Sequence, residues 1–398
     1  MNPDMARLQP YPFERLARLF DGITPPHELH EIGLSIGEPR HTTPGFIAEA
    51  LLEHLHGLAR YPLTRGSGEL RTAIATWLTG RFDLPAGSLD PELHILPVNG
   101  TREALFAFAQ CMLDRSGNPV VAMPNPFYQI YEGAALLAGG EPYFMNTTRA
   151  TGYRPDLDAV PDAVWARCQL VYICTPGNPG GAVMPLAQLQ QLIELADRHD
   201  FVIASDECYA EIHPDGHTPP PGLLQAAAAM GREDYRRCMV FHSLSKRSNA
   251  PGLRSGFVAG DRILIDGFLR YRTYHGCAMP PATQAASVRA WQDEHHVVEN
   301  RRLYDEKFSA VLDILAPHLD VQAPDAGFYL WPQTPVDDDV FARELWAQQH
   351  VKVLPGSYLS RDSADGNPGR RHVRMALVAP LEDCIEAAKR IKTCIDTL

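Results

Sequence analysis

The chain has 398 residues, 45% of them hydrophobic and 21% charged, a globular composition that excludes wholesale disorder and suffices for two or three domains. Its 36 Lys and Arg against 48 Asp and Glu give a formal net charge of −12. An acidic chain lacks the overall positive charge typical of a nucleic-acid-binding protein, so only a local basic patch could bind one. No apolar run approaches the ~18 residues of a membrane helix, and the N-terminus has no signal-like apolar core. We therefore expect a cytoplasmic protein with neither nucleic acid nor membrane as a partner.

The cysteines and histidines carry no metal-binding pattern. The eight cysteines show no C-x-x-C spacing, and several lie in apolar runs, which indicates buried or partly buried free thiols in a reducing compartment. The sixteen histidines form no H-E-x-x-H motif. We predict no metal site.

The first two thirds of the chain are typical of an α/β protein. Residues 1–44 hold one short amphipathic helix, FERLARLF, and an extended turn, GLSIGEP, and are predicted to form an arm and part of a small domain. Between about residues 90 and 260, helical stretches alternate with the apolar runs HILPVNG, PVVAMP, CQLVYICTP, FVIASDE and RCMVFHSLS. Runs apolar throughout indicate a mainly parallel sheet with helices on both faces. Residues 45–290 are therefore predicted to form a large α/β domain with its ligand at the strand ends.

The last third differs in pattern. From residue 291 onward, helical segments lead into three short strand-like runs, AGFYLWP, VKVLPG and RHVRMALV, and then into a closing helix. Residues 291–398 are predicted to form a small α+β domain together with the N-terminal segment.

Two motifs in the first half are suited to a flat, phosphorylated ligand. VNGTREALF passes from a strand through Gly100 into a helix, so the backbone N–H groups of Thr101 and Arg102 are exposed at a helix N-terminus that suits a phosphate. A plain capped helix start explains the same residues. In PNPFYQIY, Tyr128 follows a strand end, where its face can stack on a flat ring. A packed core aromatic is the alternative.

Two further strand ends carry polar side chains. CTPGNPGG places Asn178 in a Pro/Gly turn, either as a simple turn residue or as an amide donor to a ring substituent. FVIASDECY places Asp206 at the end of a strand with Tyr209 three residues later. An acid there can pair with a protonated ring nitrogen and the phenol with a ring oxygen, although a capping Asp is the simpler explanation.

The second half contributes cations. SLSKRSNAPGLRSGF places Lys246 just past a strand, with Arg254 eight residues later. Partial desolvation of such a lysine lowers its pKa and makes the amine a nucleophile, whereas a lone lysine there is more often a surface residue. Arg374, in RHVRMAL, lies in a strand pattern and has either a buried ion-pair partner or a substrate carboxylate as its ligand.

The order of these motifs along one α/β frame points to pyridoxal phosphate. A lysine can hold its aldehyde, a carboxylate keeps the pyridine nitrogen protonated so that the ring accepts electrons, and the donors hold the phosphate. Each signal is weak alone, but coincidence explains the whole set poorly.

From end to end the chain resembles the fold-type I pyridoxal-phosphate aminotransferases of the class I/II group. The most specific matches are SLSK followed by GLRSGF, the TPGNPGG turn and the DECY element. The resemblance implies a large domain with a mainly parallel sheet flanked by helices and a small α+β domain built from both termini. It also implies amino and keto acids as substrates and a homodimer whose active site is shared between subunits.

The resemblance assigns a role to each motif. Lys246 becomes the Schiff-base lysine and general base, Asp206 the partner of the pyridine nitrogen, and Tyr209 and Asn178 the donors to the ring hydroxyl oxygen. The remaining implied contacts are Gly100, Thr101, Arg102, Ser243, Ser245 and Arg254 for the phosphate, Tyr128 for the ring, Arg374 and Gly37 for the substrate, and Tyr61 for the neighbouring subunit's phosphate. Gly180 and Gly181 depart from the pattern, since many relatives have Thr or Ser after the Asn-Pro.

Within the family, LQPYPFERLARL and LSKRSNAPGLRSGFVAGD resemble the N-succinyldiaminopimelate aminotransferases of bacterial lysine synthesis. This implies transfer of an amino group between N-succinyl-LL-2,6-diaminopimelate and 2-oxoglutarate or glutamate. The distal end of that substrate needs a basic partner, for which Arg40, Arg65 and Arg272 are candidates, although a solvated surface arginine is the simpler explanation of each.

Two alternatives to this substrate assignment remain. An aspartate, aromatic or alanine aminotransferase or a C–S lyase shares the cofactor residues. A cofactor-sensing regulator needs a fused DNA-binding domain, for which the first 40 residues leave no room.

Overall fold

The protein is described over residues 1–398 by a computed structural model. Its strands are β1 (Ile32–Gly33), β2 (Ile95–Val98), β3 (Val120–Asn125), β4 (Glu141–Asn146), β5 (Cys168–Cys174), β6 (Val202–Asp206), β7 (Cys238–Ser243), β8 (Gly256–Gly260), β9 (Tyr329–Leu330), β10 (Val351–Lys352), β11 (Leu354–Pro355) and β12 (Val373–Ala376). Its α-helices are α1 (Pro12–Leu19), α2 (Gly45–Glu53), α3 (Gly68–Phe82), α4 (Thr101–Met112), α5 (Ile130–Leu137), α6 (Asp162–Trp165), α7 (Leu186–His199), α8 (Leu223–Ala229), α9 (Leu244–Arg247), α10 (Arg262–His275), α11 (Pro281–Gln292), α12 (His295–Leu315), α13 (Asp338–Gln349) and α14 (Leu381–Ile395). No helix is both long and apolar enough to cross a membrane.

A seven-stranded sheet in the order β2-β8-β7-β6-β5-β3-β4 forms the centre of the molecule. Strands β3 to β7 are mutually parallel, and β8 is antiparallel to both of its neighbours. The mainly parallel α/β fold inferred from the sequence is therefore confirmed. Because β3, β5, β6 and β7 point the same way, the residues that follow them meet at one edge of the sheet.

Helices cover both faces of this sheet, which explains why its strands are apolar throughout. Along β5, Val171 and Ile173 belong to a core shared with α3, α7, α8 and α11, whereas Leu170 and Tyr172 belong to a core shared with α4, α5 and α10. Side chains alternate across a strand, so burial on both faces requires an uninterrupted apolar sequence.

A second group of elements draws on both ends of the chain. Strand β1 pairs in parallel with β10, while β11, β12 and β9 form an antiparallel sheet. Ile32 and Leu34 share one apolar core with residues of α12, α13 and α14. The small-domain strands are shorter than their apolar runs, and VKVLPG divides into two strands of different sheets. The domain limits at residues 44/45 and 290/291 stay a prediction.

Two strands of the large sheet had no clear signal in the sequence. Strand β4 is an edge strand that contains Glu141 and Pro142, both tolerated there because one side has no partner. Strand β8 begins and ends with glycine. All eight cysteines are free and buried or partly buried, as their spacing predicted.

Candidate active site

A cavity of about 420 Å³ lies at the carboxyl ends of β3, β5, β6 and β7. It brings together most of the residues singled out from the sequence, although they are spread over more than three hundred positions. Those lining it are Gly37, Thr101, Arg102, Tyr128, Asn178, Asp206, Tyr209, Ser243, Ser245, Lys246, Arg254 and Arg374.

Lys246 lies on the short helix α9, directly after β7. Its Nζ donates a hydrogen bond of 2.5 Å to the carbonyl of Gly37 and lies 5.4 Å from the centre of the Phe328 ring. Burial lowers the pKa of this amine to about 8, and the positive charges of Arg374 and Arg254 act in the same direction. The unprotonated amine, the form that acts as a nucleophile, is therefore more populated near neutral pH than in an ordinary lysine.

Asp206 ends β6 and is 4% exposed. Its Oδ2 accepts a hydrogen bond of 2.7 Å from the Tyr131 hydroxyl, and its Oδ1 accepts one of 3.3 Å from the Cys208 amide. Burial raises the pKa of the carboxyl, and no cation lies within ion-pair distance of it. A protonated ring nitrogen in the cavity would supply the missing positive charge.

The start of α4 and the loop after β7 form a concave group of donors. Gly100 has a φ of +92°, and a Cβ placed on it would lie 2.2 Å from Nη2 of Arg254. Arg254 has no carboxylate partner and donates only to the Pro251 carbonyl, at 2.8 Å. The Ser245 amide donates to the Ser243 hydroxyl. With the first amides of α4 unused by the helix, these groups fit a phosphate.

Arg374, on β12, is 5% exposed and has no carboxylate partner, so the buried ion pair considered from the sequence is absent. Nη1 donates to Asn178 Oδ1 at 3.0 Å and Nη2 donates to the Ser35 carbonyl at 2.8 Å. Its guanidinium lies over the Tyr329 ring at 4.6 Å, and its Nε is buried without a partner. This geometry leaves the charge free for an external carboxylate.

Three aromatic residues complete the cavity wall. The hydroxyls of Tyr209 and Tyr329 lie 3.0 Å apart. A Cβ at Gly37 would approach the Tyr329 hydroxyl to 2.0 Å, so only glycine fits at that position. The Tyr128 ring lines the cavity and meets Tyr131 edge-on, with centroids 5.8 Å apart. A flat ring bound in the cavity therefore has an aromatic side chain at its wall.

Several site residues had no distinct signal in the sequence. Tyr131 lies in the same PNPFYQIY run as Tyr128, but nothing in that run indicated a contact with Asp206. Tyr329 was interpreted only as part of a strand. The cavity is also lined by Tyr11, Pro12 and Phe13 at the start of α1, which only tertiary packing brings there.

Five sequence candidates do not line the cavity: Gly100, which adjoins the lining residue Arg254, and four others. For Arg272, both predictions, that it is a distal ligand and that it is a solvated surface residue, are wrong, because it is fully buried and ion-paired with Glu103 at 2.6 Å. Arg65 donates to the Glu92 carbonyl, and Arg40 is exposed beside Gly33. Tyr61 is fully exposed and does not line its own subunit's cavity.

The glycine pair after Asn178 has a steric explanation. Gly181 has a φ of +69°, and a Cβ there would lie 2.3 Å from Cβ of Pro324 and 2.8 Å from the Ala326 carbonyl. These contacts and the left-handed backbone restrict position 181 to glycine. The position directly after Asn178-Pro179, where many relatives have Thr or Ser, is Gly180, and a Cβ there would lie 3.1 Å from Cβ of Tyr153, so a larger residue requires that side chain to shift.

Comparison with known proteins adds an independent finding. The model of the aminotransferase class I and II family matches residues 30–391. An LL-diaminopimelate aminotransferase from Nitratidesulfovibrio vulgaris strain Hildenborough is 31% identical over 394 residues, covering 97% of each chain. A crystal structure of an aminotransferase from Neisseria meningitidis Z2491 is 50% identical, with a TM-score of 0.95 and 99% of both chains covered. A solved structure from Thermus thermophilus, described as a "probable N-succinyldiaminopimelate aminotransferase", is 26% identical, with a TM-score of 0.83 and coverage of 96% and 98%.

Proposed function

Because the chain belongs to the class I and II aminotransferases, a pyridoxal-phosphate-dependent family, we propose that it exchanges an amino group between N-succinyl-LL-2,6-diaminopimelate and 2-oxoglutarate. The observation that carries the proposal is the convergence of an amine of lowered pKa, a buried acid and a free arginine on one cavity. This reaction belongs to diaminopimelate and lysine synthesis. The names of the relatives from N. vulgaris and T. thermophilus refer to diaminopimelate and to its N-succinyl derivative.

The residues present fit the cofactor. Pyridoxal phosphate supplies an aldehyde that captures amines and a ring that accepts electrons. Asp206 would face the ring nitrogen, Tyr209 and Asn178 the ring hydroxyl oxygen, and Tyr128 the ring plane. The phosphate would be held by the amides of Thr101 and Arg102, by Ser243 and Ser245, and by Arg254 beside Gly100.

Binding of the substrate and transfer of its proton fall to different residues of the cavity. Arg374 and Asn178 bind the α-carboxylate that amino and keto acids share, which fixes the position of Cα. Lys246 then removes the proton from Cα as a general base and returns it in the reverse half-reaction. Its lowered pKa places the amine near the operating pH, where general-base catalysis is most efficient.

One cationic side chain at the cavity has no role in the contacts above and can bind the distal end of a long substrate. Arg102 lines the cavity with its guanidinium over the Tyr11 ring at 5.6 Å and has no acidic partner. N-succinyl-diaminopimelate carries further carboxylates far from the reacting Cα, so Arg102 replaces Arg40, Arg65 and Arg272 as the proposed distal ligand. We predict that Arg102→Ala, which keeps the backbone amide, raises KM for this substrate about tenfold and leaves KM for alanine unchanged.

Arg167→Ala is the matched control for that variant, since Arg167 is exposed just before β5, at the opposite end of that strand from the cavity, and its side chain contacts only Glu141 and the Asn118 carbonyl. Steady-state kinetics with both substrates would decide the matter. Equal changes for the succinylated substrate and alanine would contradict a distal role for Arg102.

A second substrate is LL-diaminopimelate itself, the compound in the name of the 31%-identical relative. A half-reaction titration separates the two. The visible absorbance of the cofactor-loaded enzyme is followed while N-succinyl-LL-diaminopimelate, LL-diaminopimelate, glutamate, aspartate, alanine and phenylalanine are added one at a time. We expect saturation at low concentration only with the succinylated compound and glutamate.

Other outcomes of the titration would change the proposed substrate. A stronger response to LL-diaminopimelate would favour the second substrate, and one to aspartate or phenylalanine would keep the family and discard both. Lys246→Ala serves as the control: it should still take up the cofactor through the phosphate and ring contacts but show no turnover. Near-normal turnover in that variant would overturn the role of Lys246.

We also propose a homodimer in which Tyr61 reaches the phosphate of the neighbouring subunit's cofactor. Tyr61 is fully exposed in the single chain, and Leu58, Leu63 and Tyr274 are exposed as well, at 73%, 75% and 90%. Leu58, Tyr61 and Leu63 lie within six residues of one another, so a partner that covers this segment removes several exposed apolar side chains from water at once.

A further inference from the structure

Lys307 is a buried amine with no acid beside it. The residue lies on α12, is 3% exposed and forms no ion pair. Its only polar side-chain partner is Nε2 of His41, at 2.6 Å, and its Nζ lies 5.3 Å from the centre of the Tyr304 ring. Burial lowers the pKa of the amine. An amine buried without an acidic partner lowers the stability of the fold, so its presence requires an explanation.

A chain of hydrogen bonds leads from Lys307 to the active-site lysine. The Lys246 carbonyl can only accept, so the amide nitrogen of Asn300 faces it at 3.3 Å. The Asn300 oxygen then faces Nδ1 of His41 at 2.8 Å, which must carry the hydrogen. His41 Nε2 is therefore the acceptor, and Lys307 is the donor that fixes this tautomer.

The segment that carries His41 contacts Lys246 at its other end. Residues 35–43 contain no helix or strand, so side-chain and carbonyl contacts alone fix their path. The Gly37 carbonyl accepts from Nζ of Lys246, and four residues later His41 reaches the Lys246 backbone through Asn300. Thr43 Oγ1 donates to the carbonyl of Asn249, three residues after Lys246. One short segment thus holds both the amine and the backbone of this lysine.

We propose that His41 and Lys307 are positioning residues for Lys246, acting through Asn300 and through the Gly37 segment. The inference rests on the proposed role of Lys246, but it concerns the geometry of that side chain and not the choice of substrate. Loss of Lys307 leaves Nε2 of His41 without its donor, so the ring is held only through Nδ1 and the segment that carries it is less firmly placed. The contact of Gly37 with the amine of Lys246 and the contact of Asn300 with its backbone are then weakened together.

The first test compares Lys307→Met with Lys352→Met. Lys352, on β10, is a matched control because it forms a surface ion pair with Glu31 and does not line the cavity. Methionine fills the space and removes the cost of burying the amine, so we expect Lys307→Met to keep or raise the melting temperature. We expect kcat to fall about tenfold with KM for glutamate within about twofold, since misplacement of a catalytic group affects the chemical step. Lys352→Met should match the wild type in both.

The second test uses the apoprotein and needs no substrate. An amine-reactive acetylating reagent is applied, and the modification of Lys246 is followed by peptide mass spectrometry. Release of Nζ from the Gly37 carbonyl should speed acetylation several-fold in Lys307→Met and His41→Ala. His41→Asn, which keeps a donor towards Asn300, should restore most of the wild-type rate.

The outcomes are distinguishable from failure of the proposed function. A wrong substrate assignment leaves the acetylation rates unaffected, because the apoprotein reports on Lys246 alone. Wild-type acetylation and wild-type kcat in both Lys307→Met and His41→Ala would overturn the proposal. So would a kcat loss that only follows a lowered melting temperature, with His41→Asn no better than His41→Ala.

Discussion

At the scale of single residues, the environment of Asp206 is set by neutral groups. Its nearest partner is the hydroxyl of Tyr131, which is fully buried and stacked on Tyr172 at 4.8 Å. A hydrogen bond to the charged form favours that form, whereas burial opposes it. Tyr131 therefore holds the carboxylate ready for a cation on the cofactor.

Tyr131→Phe removes that hydrogen bond without changing the ring packing. We expect the pKa of Asp206 to rise further and kcat to fall about tenfold, because the acid pairs less well with the ring nitrogen. Tyr172→Phe is the matched control: it also removes a buried hydroxyl, but one that donates to the Leu105 carbonyl at 2.7 Å. Equal kinetics for the two variants would contradict this role of Tyr131.

The lowered pKa of Lys246 predicts a pH dependence of stability in the apoprotein. The folded pKa is about 8 against 10.5 for an ordinary lysine, so the unfolded state binds more protons between these values. Stability should therefore rise with pH across this window, and the cost of burying the amine is present in full below pH 8. The melting temperature of Lys246→Met should exceed that of the wild type at pH 7.5, and the difference should shrink by pH 10.5. A constant difference would contradict the shift.

At the scale of elements, the turn after Asn178 joins the large sheet to the strands at the end of the chain. The Ala326 amide donates to the Gly181 carbonyl at 3.1 Å, and Asn178 itself accepts from Arg374 on β12. The turn thus determines how far Arg374 lies from the edge at which β3, β5, β6 and β7 end.

Gly181→Ala should destabilise the protein by about 2 kcal/mol or more, because it combines a left-handed backbone with a contact of 2.3 Å to Pro324. The adjacent Gly180→Ala is a close control, since its φ is not in the left-handed region and its Cβ would lie 3.1 Å from Cβ of Tyr153. Thermal or denaturant unfolding of both variants checks the prediction. A Gly181→Ala variant no less stable than Gly180→Ala would refute the steric account.

At the scale of the whole molecule, the proposed sharing of sites between subunits can be tested by mixing two defective variants. Lys246→Ala and Tyr61→Phe homodimers are unfolded and refolded together. If Tyr61 serves the neighbouring subunit, each mixed dimer regains one intact site, so activity should recover to about a quarter of the wild type. If Tyr61 serves its own subunit, mixing restores nothing. Sedimentation of the unmixed proteins provides the control for dimer formation.

The amino-acid sequence alone determined the α/β frame, the cofactor and the positions of most cavity residues. Strands buried on both faces must be apolar throughout, and the residues after parallel strands must meet at one edge. Lys246, Asp206 and Arg254 could be placed on this basis because their positions follow from local sequence. The sequence did not predict β4 or β8, whose edge position and glycines leave little apolar signal.

Only the tertiary structure decided which groups contact these residues. Tyr131, Tyr329, Ser35 and the His41–Asn300–Lys307 chain reach the site across distances of tens to hundreds of residues. The sequence does not record such approaches, because packing of one element on another, not local periodicity, creates them. Arg272 illustrates the limit: its sequence context resembled an exposed loop end, whereas Glu103 on a different helix draws it into the interior.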